Sequence, residues 1–103
     1  MYLANLSNAG SEPKFWLVVS NNRRNSGLQN ALAVRIKTSP KYVDLDSVVP
    51  IPAGESLSGW VRCDDLVPLF ADEVIREVTA FSPRTMRAVG GGLSAALGLD
   101  RPL

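Results

Sequence analysis

Arg62-Cys63-Asp64 is the stretch of this chain best suited to chemistry. On a strand, residues i and i+2 project from one face, with Cα atoms roughly 6.5–7 Å apart. That spacing sets a guanidinium beside a carboxylate, with room for a phosphodiester or for the hydroxyl that attacks one. The same spacing also makes an exposed ion pair worth about 0–1 kcal/mol. Arg35 and Lys37 repeat the pattern at a strand end, next to Thr38. They can cradle a phosphate, or they can be charges that guard a solvated sheet face against pairing. Trp16 and Trp60 can stack on bases or fill a core or an interface. Cys63 alternates away from the charged face, which suits a small buried residue rather than a nucleophile.

The rest of the composition narrows the chemistry further. The 103 residues include no histidine and one cysteine. This excludes Ser-His-Asp triads, Cys/His zinc sites, imidazole-dependent nucleases and any disulfide within the chain. Acid–base work falls to carboxylates, lysine, arginine, tyrosine or hydroxyls. No P-loop, dinucleotide fingerprint or metal-ligand spacing is present, so no cofactor and no metal site is expected. Net charge is +1 but uneven. Residues 1–50 hold six Lys/Arg against three acids, and residues 51–103 hold five against seven. The basic half can attract a phosphate backbone, although ordinary surface variation gives the same count. No run approaches the ~18 apolar residues of a membrane span, and no basic-then-apolar leader follows Met1. A soluble, cytoplasmic protein is the expectation.

The elements that must position these residues are short. Residues 1–6 read as a strand with Tyr2, Ala4 and Leu6 on one face, followed by a turn-rich loop over 7–13. Phe15–Ser20 reads as a central strand, with Phe15, Leu17 and Val19 on one face and Lys14, Trp16 and Val18 on the other. The polar stretch 21–30 reads as a long hairpin loop. Ala31–Lys37 is the next strand, ended by Thr38-Ser39-Pro40. Val43–Val49 reads as a further strand, and Pro50 and Pro52 confine the next segment to an edge or a turn. Trp60–Asp64 alternates Trp60, Arg62 and Asp64 against Val61 and Cys63. Leu66–Phe70 reads as a strand end or loop, and Val74–Val78 as a strand or short helix. The C-terminal segment is helical, with Ser82 at the N-cap, Pro83 at N1 and Gly98 at the C-terminal cap. Met86, Val89, Leu93 and Leu97 form its apolar stripe. Gly90-Gly91-Gly92 is expected to bend or fray it, because each glycine costs about 0.8–1.0 kcal/mol relative to alanine. Residues 1–103 are thus expected to form one α+β, mainly β domain, with antiparallel strands in a barrel-like arrangement and one terminal helix.

Five segments in this order resemble the MazF/Kid/PemK family of bacterial toxin endoribonucleases: YLANLS-N-AGSE, KFWLVVSNNRRN, LAVRIKTS, LSGWVRCDDL and FSPRTMRAV…LSAALGL. The V-R-C-D of the fourth is shared with the Kid/PemK branch. The resemblance covers nearly the whole chain. It implies an SH3-like antiparallel barrel with a C-terminal helix, a CcdB/Kid/MazF-like toxin fold, assembled as a homodimer. It also implies metal-independent cleavage of single-stranded RNA, in which the 2′-hydroxyl attacks phosphorus to leave a 2′,3′-cyclic phosphate and a 5′-hydroxyl. By position, Asp64 matches a proposed general base and Arg62 its acid or oxyanion partner. Lys14 takes the place of a catalytic arginine, and Lys37 and Thr38 straddle the place of a catalytic threonine. Ser11 and Glu12 match the loop bordering the RNA groove. A MazE-like cognate antitoxin is implied as partner.

Three departures from the family pattern stand out: the loop before Lys14 is shorter, lysine replaces arginine at 14, and Thr38 falls one step late. Two other functions fit the same fold. One is a CcdB-like gyrase poison, although the Asp100-Arg101-Pro102-Leu103 tail differs from that toxin's Trp-Gly-Ile ending. The other is a catalytically impaired binding module.

Overall fold

The computed structural model describes residues 1–5 and 12–99. Its elements run β1 (Tyr2–Ala4), β2 (Lys14–Val18), α1 (Asn22–Leu28), β3 (Ala31–Lys37), β4 (Val48–Pro50), β5 (Trp60–Leu69), a 3₁₀ turn (Ala71–Glu73), β6 (Val74–Glu77) and α2 (Pro83–Leu97). All strand pairs are antiparallel, in one six-stranded sheet ordered β4-β5-β3-β2-β1-β6. The mainly β, antiparallel expectation holds. The sheet is not closed into a barrel, because β4 and β6 lie at its two ends without pairing to each other.

Alternation in β2 divides the interior as the residue pattern requires. Leu17, with Phe15 and Val19 packed beside it, joins Val34, Ile36, Val49, Val61, Cys63, Phe81 and Val89 in the larger cluster, beneath α2. Trp16, Ala4, Ala33 and Leu69 form a smaller cluster on the other face, with Tyr2 and Val18 against it. Leu6 and residues 7–11 lie outside the described residues.

Two segments differ from expectation. Residues 21–30 contain a helix rather than a plain hairpin loop. Asn21 caps α1 by accepting from Arg24 N at 2.8 Å, and Gln29 ends it in the left-handed conformation. Arg24 then clamps the exit, donating to Asn30 O at 2.8 Å and to Asn30 Oδ1 at 3.0 Å. No residue of α1 is buried, so the helix carries no apolar periodicity to read. The strand expected over Val43–Val49 shrinks to Val48–Pro50. Tyr42 O accepts from Leu45 N, and Leu45 O from Val48 N, so the backbone closes into turns instead of pairing. Pro50 ends an edge strand, as expected.

The termini of α2 are as read: the Ser82 hydroxyl accepts from Thr85 N, Pro83 comes next, and Gly98 is left-handed at φ 70°. Glu55 ties the β4–β5 loop to this end, accepting from Ser82 N at 3.1 Å and Ser82 Oγ at 3.0 Å. Two details of the helix are corrected. It runs unbroken through its three glycines, and although Met86, Val89 and Leu93 pack on the larger cluster as expected, buried Thr85 and Gly92 share that inward face. Leu97 is exposed instead. A Cβ on Gly92 would lie 2.5 Å from Val49 Cγ2 and 2.8 Å from Cys63 Sγ. Glycine here lets the helix settle onto β4 and β5, and that packing offsets its low propensity.

Burial pushes the Cys63 thiol up to about 11, with Asp64 adding to the shift. The folded protein keeps this proton at a pH where the unfolded chain, with a cysteine near ~8.5, has lost it. Stability is therefore full below about pH 8 and falls as pH rises toward the folded value. Urea unfolding between about pH 8 and 11 should show wild type losing roughly 2–3 kcal/mol more than Cys63→Ala. Parallel losses in the two proteins would contradict a buried neutral thiol.

Candidate functional site

The sheet register assembles a row that no local pattern contains. Tyr2 pairs with Trp16, Trp16 with Arg35, Arg35 with Arg62, and Arg62 with Val48. Directly paired residues share a face, so both arginines and Trp16 project from the same side. One step along, Lys14 pairs with Ala4 and Lys37 with Trp60. By alternation Lys14 and Lys37 join that side. Lys14, Arg35, Lys37 and Arg62 thus form a cationic end to a face whose other end is the Trp16 cluster.

Electrostatics within this row are unfavourable in isolation. Like charges directly opposite each other on paired strands destabilise a sheet. Burial, and then the Arg62 charge, lower the Arg35 pKa, while Asp65 works the other way. Arg35 remains a cation, as arginine does in proteins. Its Cζ lies 5.8 Å from the Trp16 ring centroid. Arg62 Cζ lies 5.2 Å from the Tyr42 ring centroid. Arg62 Nε and Trp16 Nε1 are both buried without a hydrogen-bond partner among the described residues. An unsatisfied buried donor costs about 1–3 kcal/mol. An anion bridging the two guanidinium groups would relieve their repulsion.

The remaining candidates fall into two hollows. Lys14, Arg35, Lys37 and Thr38 line one of about 350 Å³, with Pro13, Phe15, Ile36 and Ser39. Thr38 is exposed at its rim. Glu12, also exposed, pairs with Lys14 Nζ at 3.3 Å. Ser11 lies outside the described residues. Asp64 lines a different hollow, of about 490 Å³, with Asp44, Asp46 and Ser47 beside the end of α2. The buried Ser47 hydroxyl donates to Asp64 Oδ2 at 2.6 Å.

Arg62 and Asp64 form no ion pair among the described residues, although plain alternation set them side by side. The cause is a register shift. Val34 pairs with Leu66 while its neighbour Arg35 pairs with Arg62, so Cys63, Asp64 and Asp65 bulge from β5. Bulges re-aim side chains in this way. Tyr42, Ser47 and Asp65 escaped sequence reasoning, because their partners lie elsewhere in the chain or across the bulge. Among the described residues, no group of three or more His, Cys, Asp or Glu is placed to hold a metal ion.

Comparison with known proteins agrees with this architecture. Residues 1–97 match the family described as PemK-like, MazF-like toxin of type II toxin–antitoxin system. "Endoribonuclease MazF1" of Mycobacterium bovis is 33% identical over 93 residues, 90% of this chain and 85% of that protein. "Endoribonuclease MazF4" of Mycobacterium tuberculosis matches to the same extent. A solved mycobacterial endoribonuclease in complex with its cognate antitoxin superposes with TM-score 0.84 at 32% identity, over 98% of this chain and 93% of that one. The chain belongs to the PemK-like, MazF-like family of toxins of type II toxin–antitoxin systems.

Proposed function

We propose that this chain is the toxin of a toxin–antitoxin pair and an endoribonuclease that cuts single-stranded RNA. The observation that carries this reading is the Arg35–Arg62 pair on the cationic side of the sheet. A backbone phosphate lying across the two guanidinium groups offsets their like charge. Membership of the family and the endoribonuclease relatives support this reading over a gyrase poison.

In the reaction, a ribose 2′-oxygen attacks the neighbouring phosphorus as its proton passes to the base. The bond to the 5′-oxygen breaks, that oxygen takes up a proton, and a 2′,3′-cyclic phosphate remains. Asp64, oriented by Ser47, is the base. Arg62 steadies the charge building on the phosphoryl oxygens, a role worth several kcal/mol in a site sheltered from water. Arg35, Lys37 and Lys14 hold the flanking backbone, Thr38 contacts the reacting phosphate, and Ser11 and Glu12 border the strand's path. The protein acts as a homodimer, and an acidic, apolar antitoxin segment folds over the cationic surface to silence it. Among the described residues no helix is long and apolar enough to cross a membrane; a cytoplasmic toxin meeting RNA is the corresponding placement.

The direct test is to incubate the purified protein with transcripts in EDTA and map the fragment ends. Fragments bearing 5′-hydroxyl and 2′,3′-cyclic phosphate ends are expected. Transcripts left intact by native, antitoxin-free protein overturn the reading, and RNA bound but never cut leaves a binding module. Lys14→Ala should weaken RNA binding and flatten the dependence of log affinity on log salt by about 0.7, one single-strand phosphate contact. An unchanged slope, read by fluorescence anisotropy, would place Lys14 outside the RNA path.

A further inference from the structure

We propose that Tyr42 is a stacking platform for a base of the RNA, beside the phosphate held by Arg35 and Arg62; this rests on the RNA-cleaving function proposed above. Tyr42 is 58% exposed and belongs to neither apolar cluster. Its backbone is left-handed, at φ 62°. That conformation is an outlier for a bulky residue. Folding gains little core packing from this ring, yet the chain holds it in a strained conformation. Such strain concentrates where a side chain must be aimed at a ligand.

The position supplies the target. The Tyr42 ring lies over Arg62, Arg62 pairs with Arg35, and Arg35 lies over the Trp16 ring. The result is an aromatic–guanidinium–guanidinium–aromatic series. Its inner members suit a phosphate. Trp16, at 4% exposure, is closed to a base, whereas Tyr42 is open to one. A nucleotide whose phosphate bridges the arginines carries its base toward the exposed ring. Every base offers a π-face, so the contact adds affinity and fixes the strand's position without demanding one sequence.

Tyr42→Gly and Tyr42→Phe test this. Glycine adopts the left-handed backbone without strain, so Tyr42→Gly should melt no lower than wild type. The probes are heptanucleotides spanning a mapped cleavage site, 2′-O-methylated throughout to prevent attack, each with 2-aminopurine at one position. Wild type and Tyr42→Phe should quench the fluorophore at one position near the scissile bond. Tyr42→Gly should lose that quenching and bind about 5- to 100-fold more weakly. Equal affinity and quenching in Tyr42→Gly, or wild-type binding with no quenching at any position, overturns the assignment. A Tyr42→Gly protein that melts well below wild type makes the ring a structural prop and also overturns it. Wild-type cleavage read in parallel separates the two claims: intact cleavage without quenching removes Tyr42 alone, and a wild type that cuts no RNA removes both.

Discussion

Replacing Arg62 with alanine is expected to slow cleavage of single-stranded RNA by about 10²–10⁴-fold, the range of a positioned catalytic group, while leaving the protein at least as stable. The two effects share one cause. Arg62 faces another arginine across the β3–β5 pairing and holds a buried Nε with no acceptor among the described residues. Its removal relieves a like-charge contact and an unsatisfied donor, so the fold loses little. The reaction loses the group that meets the phosphate. Lysine should rescue poorly, since an ammonium offers no planar fork. Asp64→Ala should match the loss of rate but differ in stability. It leaves the buried Ser47 hydroxyl without its acceptor, at a cost of about 1–3 kcal/mol. Cleavage rates and thermal melts on the two purified variants check both halves. Undiminished cleavage by both would remove these residues from the mechanism.

The second large effect concerns stability. Gly92→Ala should lower the melting temperature by roughly 10 °C, whereas Gly90→Ala and Gly91→Ala should each raise it by about 4–8 °C. All three remove the helix penalty of glycine, about 0.8–1.0 kcal/mol. At Gly90 and Gly91 nothing among the described residues lies within 4 Å of the new Cβ, so the gain is kept. At Gly92 the methyl group meets Val49 and Cys63, both buried on strands that cannot recede without disturbing the β4–β5 pairing. Overpacking of this kind costs about 1–3 kcal/mol, and contacts this short fall at the upper end. If Gly92→Ala melted as high as its neighbours, α2 would not lie this close to the sheet.

The glycine triplet also shows where legibility stops. Three adjacent glycines in a helical stretch argue for a bend, because propensity is a local quantity. The helix stays continuous because one of them faces a strand surface that admits no side chain. The reverse holds at α1, whose cap residues Asn21 and Gln29 were present in the sequence but whose lack of a buried face hid the helix. Asp64 illustrates a third case. Alternation set it beside Arg62, and three bulged residues in β5 turned it toward Ser47 instead.

The residues alone therefore determined local features: the strand Ala31–Lys37, the alternation that splits Leu17 from Trp16, the capping of α2, and five ordered segments resembling one toxin family. Each depends on neighbours within a few positions, where side-chain periodicity and hydrogen-bond chemistry act directly. Only the folded chain decided that Arg35 meets Arg62, that Tyr42 covers the latter, and that a side chain at Gly92 would crowd Val49 and Cys63. Those facts depend on strand register and on the approach of a helix to a sheet, which are settled by packing between segments tens of residues apart.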